Sequence, residues 1–421
     1  MIGRRLVVSL VLLATTPGSA AAQTLPAAAS AVPPVPGRQI TVTLVTFGLG
    51  QEVFERFGHN ALWIHDGSAL QDSAYQWGLF SFDEPGFLVR FLTGDTKYWM
   101  GAEDARLRIA FERSRGRPIT LQRLNLTTAQ ALLLREFVRW NALEKNKFYR
   151  YDYFGDNCST RLRDALDHAL GGAIRRATDT AVTALSYRRE SVRLTNGNAP
   201  VQLGIDIALG RPADVPLTKW ESFFIPMRLR DAVRLMRVPG PDGVAVPLVA
   251  QEQVVQLPVE AKPIPEADVA PRLAPRYLAL GVLLGALVVV LRVMMLTRRS
   301  AAWGLALFGS AWSLLCGVLG VILLLAWIAT KHVFWASNEN VLLLTPFSLA
   351  LAMLIPAAVL SERRERATRM VASIVAVLGL VAAVLAIVPG GQENRAVVAL
   401  LLPVHLALGW ALALPRPGAT R

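Results

Sequence analysis

The sequence predicts an α+β domain outside the membrane followed by a five-helix transmembrane bundle. Three features carry this expectation: an export-type leader, a region of mixed polarity over 40–268, and apolar runs of spanning length from Tyr277 onward.

The leader has a charged start at Arg4 and Arg5, a short apolar run from Leu6 to Ala14, and small residues Ala20-Ala21-Ala22 before Gln23. Pro17-Gly18 interrupts the apolar run, which is too short to span a bilayer, so 1–22 is expected as a cleaved signal peptide. An Ala/Pro-rich lead-in over 23–38 follows. The exported domain is expected over 39–235, with an extended linker or small accessory segment over 236–275.

Within that domain, Ile40, Val42 and Leu44 alternate with Thr41, Thr43 and Val45, the period of a strand. Gln51 to Phe57 reads as a short helix closed by Gly58. Ala61 to His65 and Ala74 to Leu79 read as neighbouring strands around an Asp66-Gly67 turn, and Pro118 to Leu124 as a further strand. Phe82, Phe87, Phe91, Tyr98 and Trp99 make 82–99 unusually aromatic, as hydrophobic core, as an acyl-chain wall or as a surface touching the membrane. Thr127 and Gln130 have capping-box spacing and open a helix with Leu133, Phe137 and Trp140 on its apolar side. A second helix starts after Asn157, buries Leu162, Ala165, Leu166 and Ala169, and stops at Gly171-Gly172.

Spans are expected at 277–297, 302–329, 341–360, 370–388 and 396–415, within a membrane region of 276–415 and ahead of a short tail at 416–421. Arg298-Arg299, then Arg363, Arg364, Arg366 and Arg369, then Arg416 and Arg421 occupy alternate ends. The positive-inside rule puts these in the cytoplasm and the loops 330–340 and 389–395 outside, beside the exported domain. The formal charge of +13 is thereby assigned to topology and anionic headgroups, and no nucleic-acid partner is expected.

Cys158 is the only cysteine of the exported region, and Cys316 falls within a span at a different depth, so a disulfide between them is not expected. A lone thiol in an oxidising compartment is a liability unless buried or used. With Asn157 as N-cap, Cys158 lies in the first turn of a helix, where free amides and the dipole favour a thiolate; Arg161 and Arg163 add positive potential. His59, just before a predicted strand, is the candidate base. Asp72 is the first choice to orient it, with His65, Asp66 and Tyr75 as alternatives. No metal cluster, phosphate loop or cofactor motif stands out.

The segments Phe57-Gly58-His59-Asn60-Ala61-Leu62, Tyr75-Gln76-Trp77-Gly78, Leu124-Asn125-Leu126-Thr127, Tyr151-Asp152-Tyr153-Phe154 and Asp156-Asn157-Cys158-Ser159-Thr160-Arg161 resemble the Lnb-type bacterial lipoprotein N-acyltransferases. Leu217, Thr218, Trp220, Glu221, Phe224 and Pro226 extend the likeness, as does the outward loop with His332, Asn338, Glu339 and Asn340. More distantly the domain is similar to permuted papain-like thiol enzymes of the lecithin–retinol acyltransferase type. The resemblance implies a permuted papain-like periplasmic domain on an inner-membrane bundle, with the C-terminus cytoplasmic.

It further implies that Cys158, activated by His59, takes an acyl group from a membrane phospholipid and passes it to the N-terminal amine of a diacylated lipoprotein. Asn157 and Tyr75 are candidate oxyanion or orienting groups; Arg161, Trp99, His332, Asn338 and Asn340 are candidate substrate contacts. Trp220, Glu221 and Arg228 are expected to dock the end of the domain, and His405 to hydrogen-bond inside the bundle. A phospholipase or acyl hydrolase with the same site, a peptidoglycan amidase or endopeptidase, and a non-enzymatic membrane scaffold are the alternatives.

Overall fold

Seven strands form one antiparallel sheet in this computed structural model, which describes residues 40–67, 71–240, 243–257, 271–361 and 363–414. The expected signal peptide, the lead-in, the tail at 416–421 and part of the expected linker lie outside the described residues.

In chain order the strands and helices are β1 (Ile40–Phe47), β2 (His59–Asp66), β3 (Gln71–Leu79), α1 (Phe87–Thr93), β4 (Lys97–Asp104), α2 (Ala105–Ser114), β5 (Ile119–Leu124) and α3 (Thr128–Asn141). Next come β6 (Phe148–Arg150), α4 (Cys158–Ala169), α5 (Ala173–Thr178), α6 (Tyr187–Leu194), α7 (Ala199–Ala208), α8 (Lys219–Ser222), α9 (Pro226–Leu235), β7 (Arg237–Pro239), β8 (Ala245–Pro247) and β9 (Val249–Gln256). The apolar helices are α10 (Ala274–Met294), α11 (Arg299–Ala329), α12 (Phe347–Ser361), α13 (Glu365–Leu385) and α14 (Arg395–Ala413). With a short 3-10 turn leading into α12, they give five helices long and apolar enough to cross a membrane.

The sheet order is β6-β4-β3-β2-β1-β5-β9. Alternation decides its faces: Val42, Leu44, Leu62, Ile64, Tyr75 and Trp77 pack with α3, α4 and α9, while Val45, Phe47, Ala61 and Ile119 form the opposite core with Ile109 of α2. The expected linker is corrected here. Val249–Gln256 pairs along β5 and so completes the sheet, because its extended backbone finds an edge with free hydrogen-bonding groups.

The Thr127 capping box forms as expected. The buried stripe of α3, however, is Ala131, Leu134, Val138 and Asn141, whereas Leu133 and Trp140 are 44% and 56% exposed. Apolar character did not separate the two stripes, and packing chose the one whose Asn141 accepts the Trp77 indole N–H at 2.8 Å. Trp220 is core, with the Arg163 guanidinium over its ring, Glu221 closes a capping box with Thr218, and Arg228 pairs with Glu190 at 3.1 Å.

The exported domain is tied to the bundle at the C-terminal end of α7. A helix leaves its last carbonyls without intrahelical partners. Here side-chain amides from the two loops between spans supply them. Asn338 Nδ2 donates to the Ile207 and Ala208 carbonyls at 2.9 Å, Asn340 Nδ2 to those of Asp206 and Ile207 at 3.0 Å, and Gln392 Nε2 to Leu209 O at 3.0 Å. Asn394 donates to Asn340 Oδ1 at 2.7 Å and fixes its orientation. His405 bonds the Leu343 carbonyl at 3.0 Å within the bundle.

Asn340→Leu takes one of two donors from each of the Asp206 and Ile207 carbonyls, leaves the buried Asn394 amide without its acceptor, and is expected to cost about 1–3 kcal/mol. It should lower the thermal unfolding midpoint in detergent, whereas Asn340→Gln, if it re-forms the contact, loses less. An unchanged midpoint for Asn340→Leu would rule out this clamp.

Candidate active site

Cys158 is positioned by the turn that precedes it. Asp152 Oδ1 accepts the amides of Phe154 and Gly155 at 3.0 and 2.7 Å, and the chain then enters α4 through Asn157. Asn157 Oδ1 caps α4 by accepting the Ser159 and Thr160 amides, each at 2.9 Å, while its Nδ2 donates to the Tyr153 and Phe224 carbonyls at 3.0 Å. Its amide is therefore committed to holding the helix start, which leaves it no free donor for an oxyanion. Cys158 itself is the first residue of α4 and is 9% exposed.

His59 opens β2, next to the place where β3 breaks register between Gln76 and Leu79. The β2–β3 ladder ends at Leu62↔Tyr75, and beyond it the Asn60 amide donates to the Cys158 sulfur. Base and thiol are thus joined through one backbone residue. Gly78 makes the room: its φ of +87° is a backbone conformation that side chains rarely adopt, and a Cβ would sit 3.4 Å from both Cys158 Cβ and Tyr151 Cε2.

The side chain that meets the His59 ring is Gln76, which sequence reasoning missed. Gln76 Oε1 lies 2.7 Å from His59 Nε2, and Gln76 Nε2 donates to Glu103. A carboxylate accepts only, so Glu103 turns the Gln76 amide nitrogen toward itself and the oxygen toward His59. His59 Nε2 then carries the proton, and Nδ1 is left as the basic nitrogen. Arg108 stands 3.6 Å from Glu103 and also pairs with Glu112, which bonds buried Arg117 at 2.9 Å.

The first-choice orienter Asp72 is corrected. It faces His65 across the ladder, accepting from His65 Nδ1 at 2.9 Å and Trp63 Nε1 at 2.8 Å, with Arg106 at 3.1 Å. His65 is six residues along β2 from His59, about 20 Å at strand rise. Gln76 and Asp72 share one face of β3 by period two, so the face was legible but the position along it was not. Asp66 pairs with Arg135 at 2.8 Å, and Tyr75 is buried in the core between the sheet and its helices.

Burial sets the protonation states. It pushes the Cys158 thiol up to about 11, against the pull of the Asn60 and Ser159 amides and of Arg117. It lowers His59 to about 3, with the Arg108 and Arg117 charges acting in the same direction and the Gln76 hydrogen bond opposing. Both shifts favour the neutral thiol and the neutral imidazole at rest. Burial thus works against the thiolate expected from the helix start.

Both groups lie in the wall of a cavity of about 1500 Å³. Phe54, Phe80, Phe82, Phe87, Phe91 and Phe111 supply much of its apolar lining, and Tyr98 stacks on Tyr151 at 4.3 Å beside the thiol. Val201, Ile205 and Ala208 of α7 and His332 and Trp335 of the outward loop close the membrane side. Of the expected substrate contacts, His332 is at the cavity, stacked on Trp335 and bonded to Phe91 O at 3.0 Å. The others are not. Trp99 packs on Phe148, on the other side of β4 from Tyr98; Arg161 closes on Asp156 over the Tyr149 ring; Asn338 and Asn340 are the α7 clamps. Among the described residues no group of three His, Cys, Asp or Glu side chains is gathered as a metal site.

Comparison with known proteins is consistent across both halves of the chain. Residues 35–189 match the family model of the Lnb N-terminal periplasmic domain, and residues 270–414 match that of the Lnb transmembrane domain. No curated protein and no solved structure matches the chain.

Two outcomes follow from the site. Gln76→Leu should lower turnover by about 10–100-fold, as loss of a partner that orients a functional histidine does, while Asp72→Asn stays within about twofold of the parent. The reverse ranking in a steady-state assay would return the role to Asp72. Alkylation of Cys158 by iodoacetamide should rise about tenfold per pH unit from 7 to 10, because a thiol raised to about 11 is mostly protonated there. A rate already level by pH 7 would instead demonstrate a stable thiolate.

Proposed function

The chain belongs to the Lnb family, a membership that points to a membrane-associated lipoprotein-processing enzyme, and on that premise we propose that it transfers a fatty acyl group from a membrane phospholipid, through a Cys158 thioester, to the N-terminal amine of a diacylated lipoprotein. One observation supports this reading: a thiol and a histidine sit in the wall of a large apolar cavity bounded on one side by Lys331, His332 and Trp335 of the loop that follows a spanning helix.

In the first half-reaction the Cys158 sulfur attacks an ester carbonyl of the phospholipid while its proton passes to His59 Nδ1. The C–O bond then breaks, and His59 returns the proton to the departing lysophospholipid oxygen, leaving the acyl thioester. In the second, the lipoprotein amine attacks the thioester carbonyl, His59 takes the amine proton, and the proton is restored to the departing sulfur. The Asn60 and Cys158 amides, both directed at the sulfur in the resting site, are the donors available to the oxyanion.

A neutral thiol and imidazole suit a site that admits acyl chains, since neither holds a charge that an apolar substrate must desolvate. Activation is then concerted with attack. His59 stays unprotonated throughout the physiological range, so protonation of this base sets no acid limb above about pH 3. The bundle holds the site at the membrane surface with its periplasmic domain outside and the C-terminus in the cytoplasm, and confinement of both substrates to that surface reduces the entropy lost in bringing them together.

Intact mass spectrometry of the full chain incubated with defined phospholipid should show one fatty-acyl increment on Cys158, released by hydroxylamine and absent in Cys158→Ala. His59→Ala should slow its formation by about 10²–10⁴-fold. Adding a diacylated lipopeptide should move the increment to that peptide, and a lipopeptide with a blocked N-terminal amine should receive none. Loss of the acyl group to water at the same rate with and without acceptor would establish hydrolysis instead.

A further inference from the structure

The mouth of the cavity carries an apolar surface that a water-facing domain does not sustain. Phe82, Leu88, Val89 and Leu92 are 70%, 66%, 65% and 58% exposed, and Val53, Phe54 and Phe111 are exposed on the same cavity. Leu88, Val89, Phe91 and Leu92 all belong to α1, a helix of seven residues.

The level of α1 relative to the bundle is fixed. Thr93 O accepts the Lys331 amide at 2.8 Å, Asp95 pairs with Lys331 Nζ at 2.8 Å, and the His332 ring bonds Phe91 O. Gly94 permits this approach: a Cβ there would lie 2.9 Å from the His332 nitrogen. Residues 331 and 332 directly follow the outer end of α11, whose apolar surface remains exposed through Leu325, Trp327 and Ile328, at 51%, 42% and 67%. The exposed face of α1 therefore continues the lipid-facing surface of a spanning helix, with a tryptophan and a lysine–aspartate pair at the boundary where interfacial residues belong.

We propose that α1, with Phe82, is inserted in the headgroup–acyl boundary of the outer leaflet and forms a lip over which phospholipid acyl chains pass sideways into the cavity. At about 1.5 Å per residue α1 is roughly 10 Å long, suited to lying shallowly in the interface and far too short to span. The insertion stands on geometry alone; the identity of the passing chains rests on the acyl-transfer reading.

The test uses the full chain in phospholipid vesicles. A single cysteine at Leu88→Cys or, separately, Leu92→Cys, in a Cys158→Ser/Cys316→Ala background, carries an environment-sensitive fluorophore. Glu136→Cys reports the water-facing surface and Leu283→Cys the lipid-facing bundle. Emission at 88 and 92 should shift to the blue and be quenched several-fold more by lipid spin-labelled near the headgroup than is the label at 136. In the native chain, a phospholipid with a photoactivatable acyl chain should crosslink to peptides covering 82–92. Labels at 88 and 92 that behave like 136 while 283 is quenched, or crosslinks confined to the spans, would overturn the lip; so would quenching lost in favour of contact with a second copy, read as energy transfer between labelled chains. Neither readout requires acyl transfer, so a chain that inserts but never acylates Cys158 sinks the transfer reading alone.

Discussion

The last carbonyls of α7 hold the protein together as one device. Four backbone acceptors at a helix end would be costly to bury unpaired, and side-chain amides from two loops between spans satisfy them. The same helix presents Val201, Ile205 and Ala208 to the cavity, so the contact that docks the exported domain also builds the membrane-side wall of the site. Buried Arg188 reinforces it from within the domain, reaching the Asp206 and Leu209 carbonyls at 2.7 and 2.6 Å while pairing with Asp206 and Asp214. Buried charge of this kind is tolerated because every partner is present.

From this clamp the chemistry of the site follows. A cavity lined by aromatic and aliphatic side chains shields Cys158 and, in part, His59 from water, and desolvation raises one and lowers the other. The polar machinery is placed behind them. Gln76, Glu103, Arg108, Glu112 and Arg117 form a charged chain on the α2 side of the sheet, with Gln76 as the neutral member that touches the base. A neutral amide in that place fixes the imidazole tautomer without stabilising an imidazolium as a carboxylate would. The arrangement therefore favours proton transfer at the moment of attack over a standing ion pair.

The aromatic stretch between β3 and β4 acquires a physical reason in the same frame. Core packing accounts for Tyr98, which is buried, but not for Phe82, Leu88 or Leu92, which are exposed next to a spanning helix. In the proposed lip their surroundings differ from those of the sheet core in one respect: the neighbouring medium is lipid rather than protein. Apolar exposure that is a liability in water costs nothing there.

The sequence by itself determined the division into an α+β domain and five apolar helices, the strand around His59, the helix that starts at Cys158 and its Asn157 cap. These rest on local signals: hydrophobic period, run length and capping spacing. It also pointed to the cysteine and histidine, because an unpaired thiol after a helix cap is rare enough to notice. Only the tertiary structure decided that Gln76 and not Asp72 meets His59, that Asn338 and Asn340 clamp α7, that Tyr98 and not Trp99 lines the cavity, and that burial pushes the thiol upward. Each depends on strand register, on which carbonyls arrive opposite a loop, or on the depth of burial. These are relations between segments far apart in the chain, and local pattern carries no information about the distance between them.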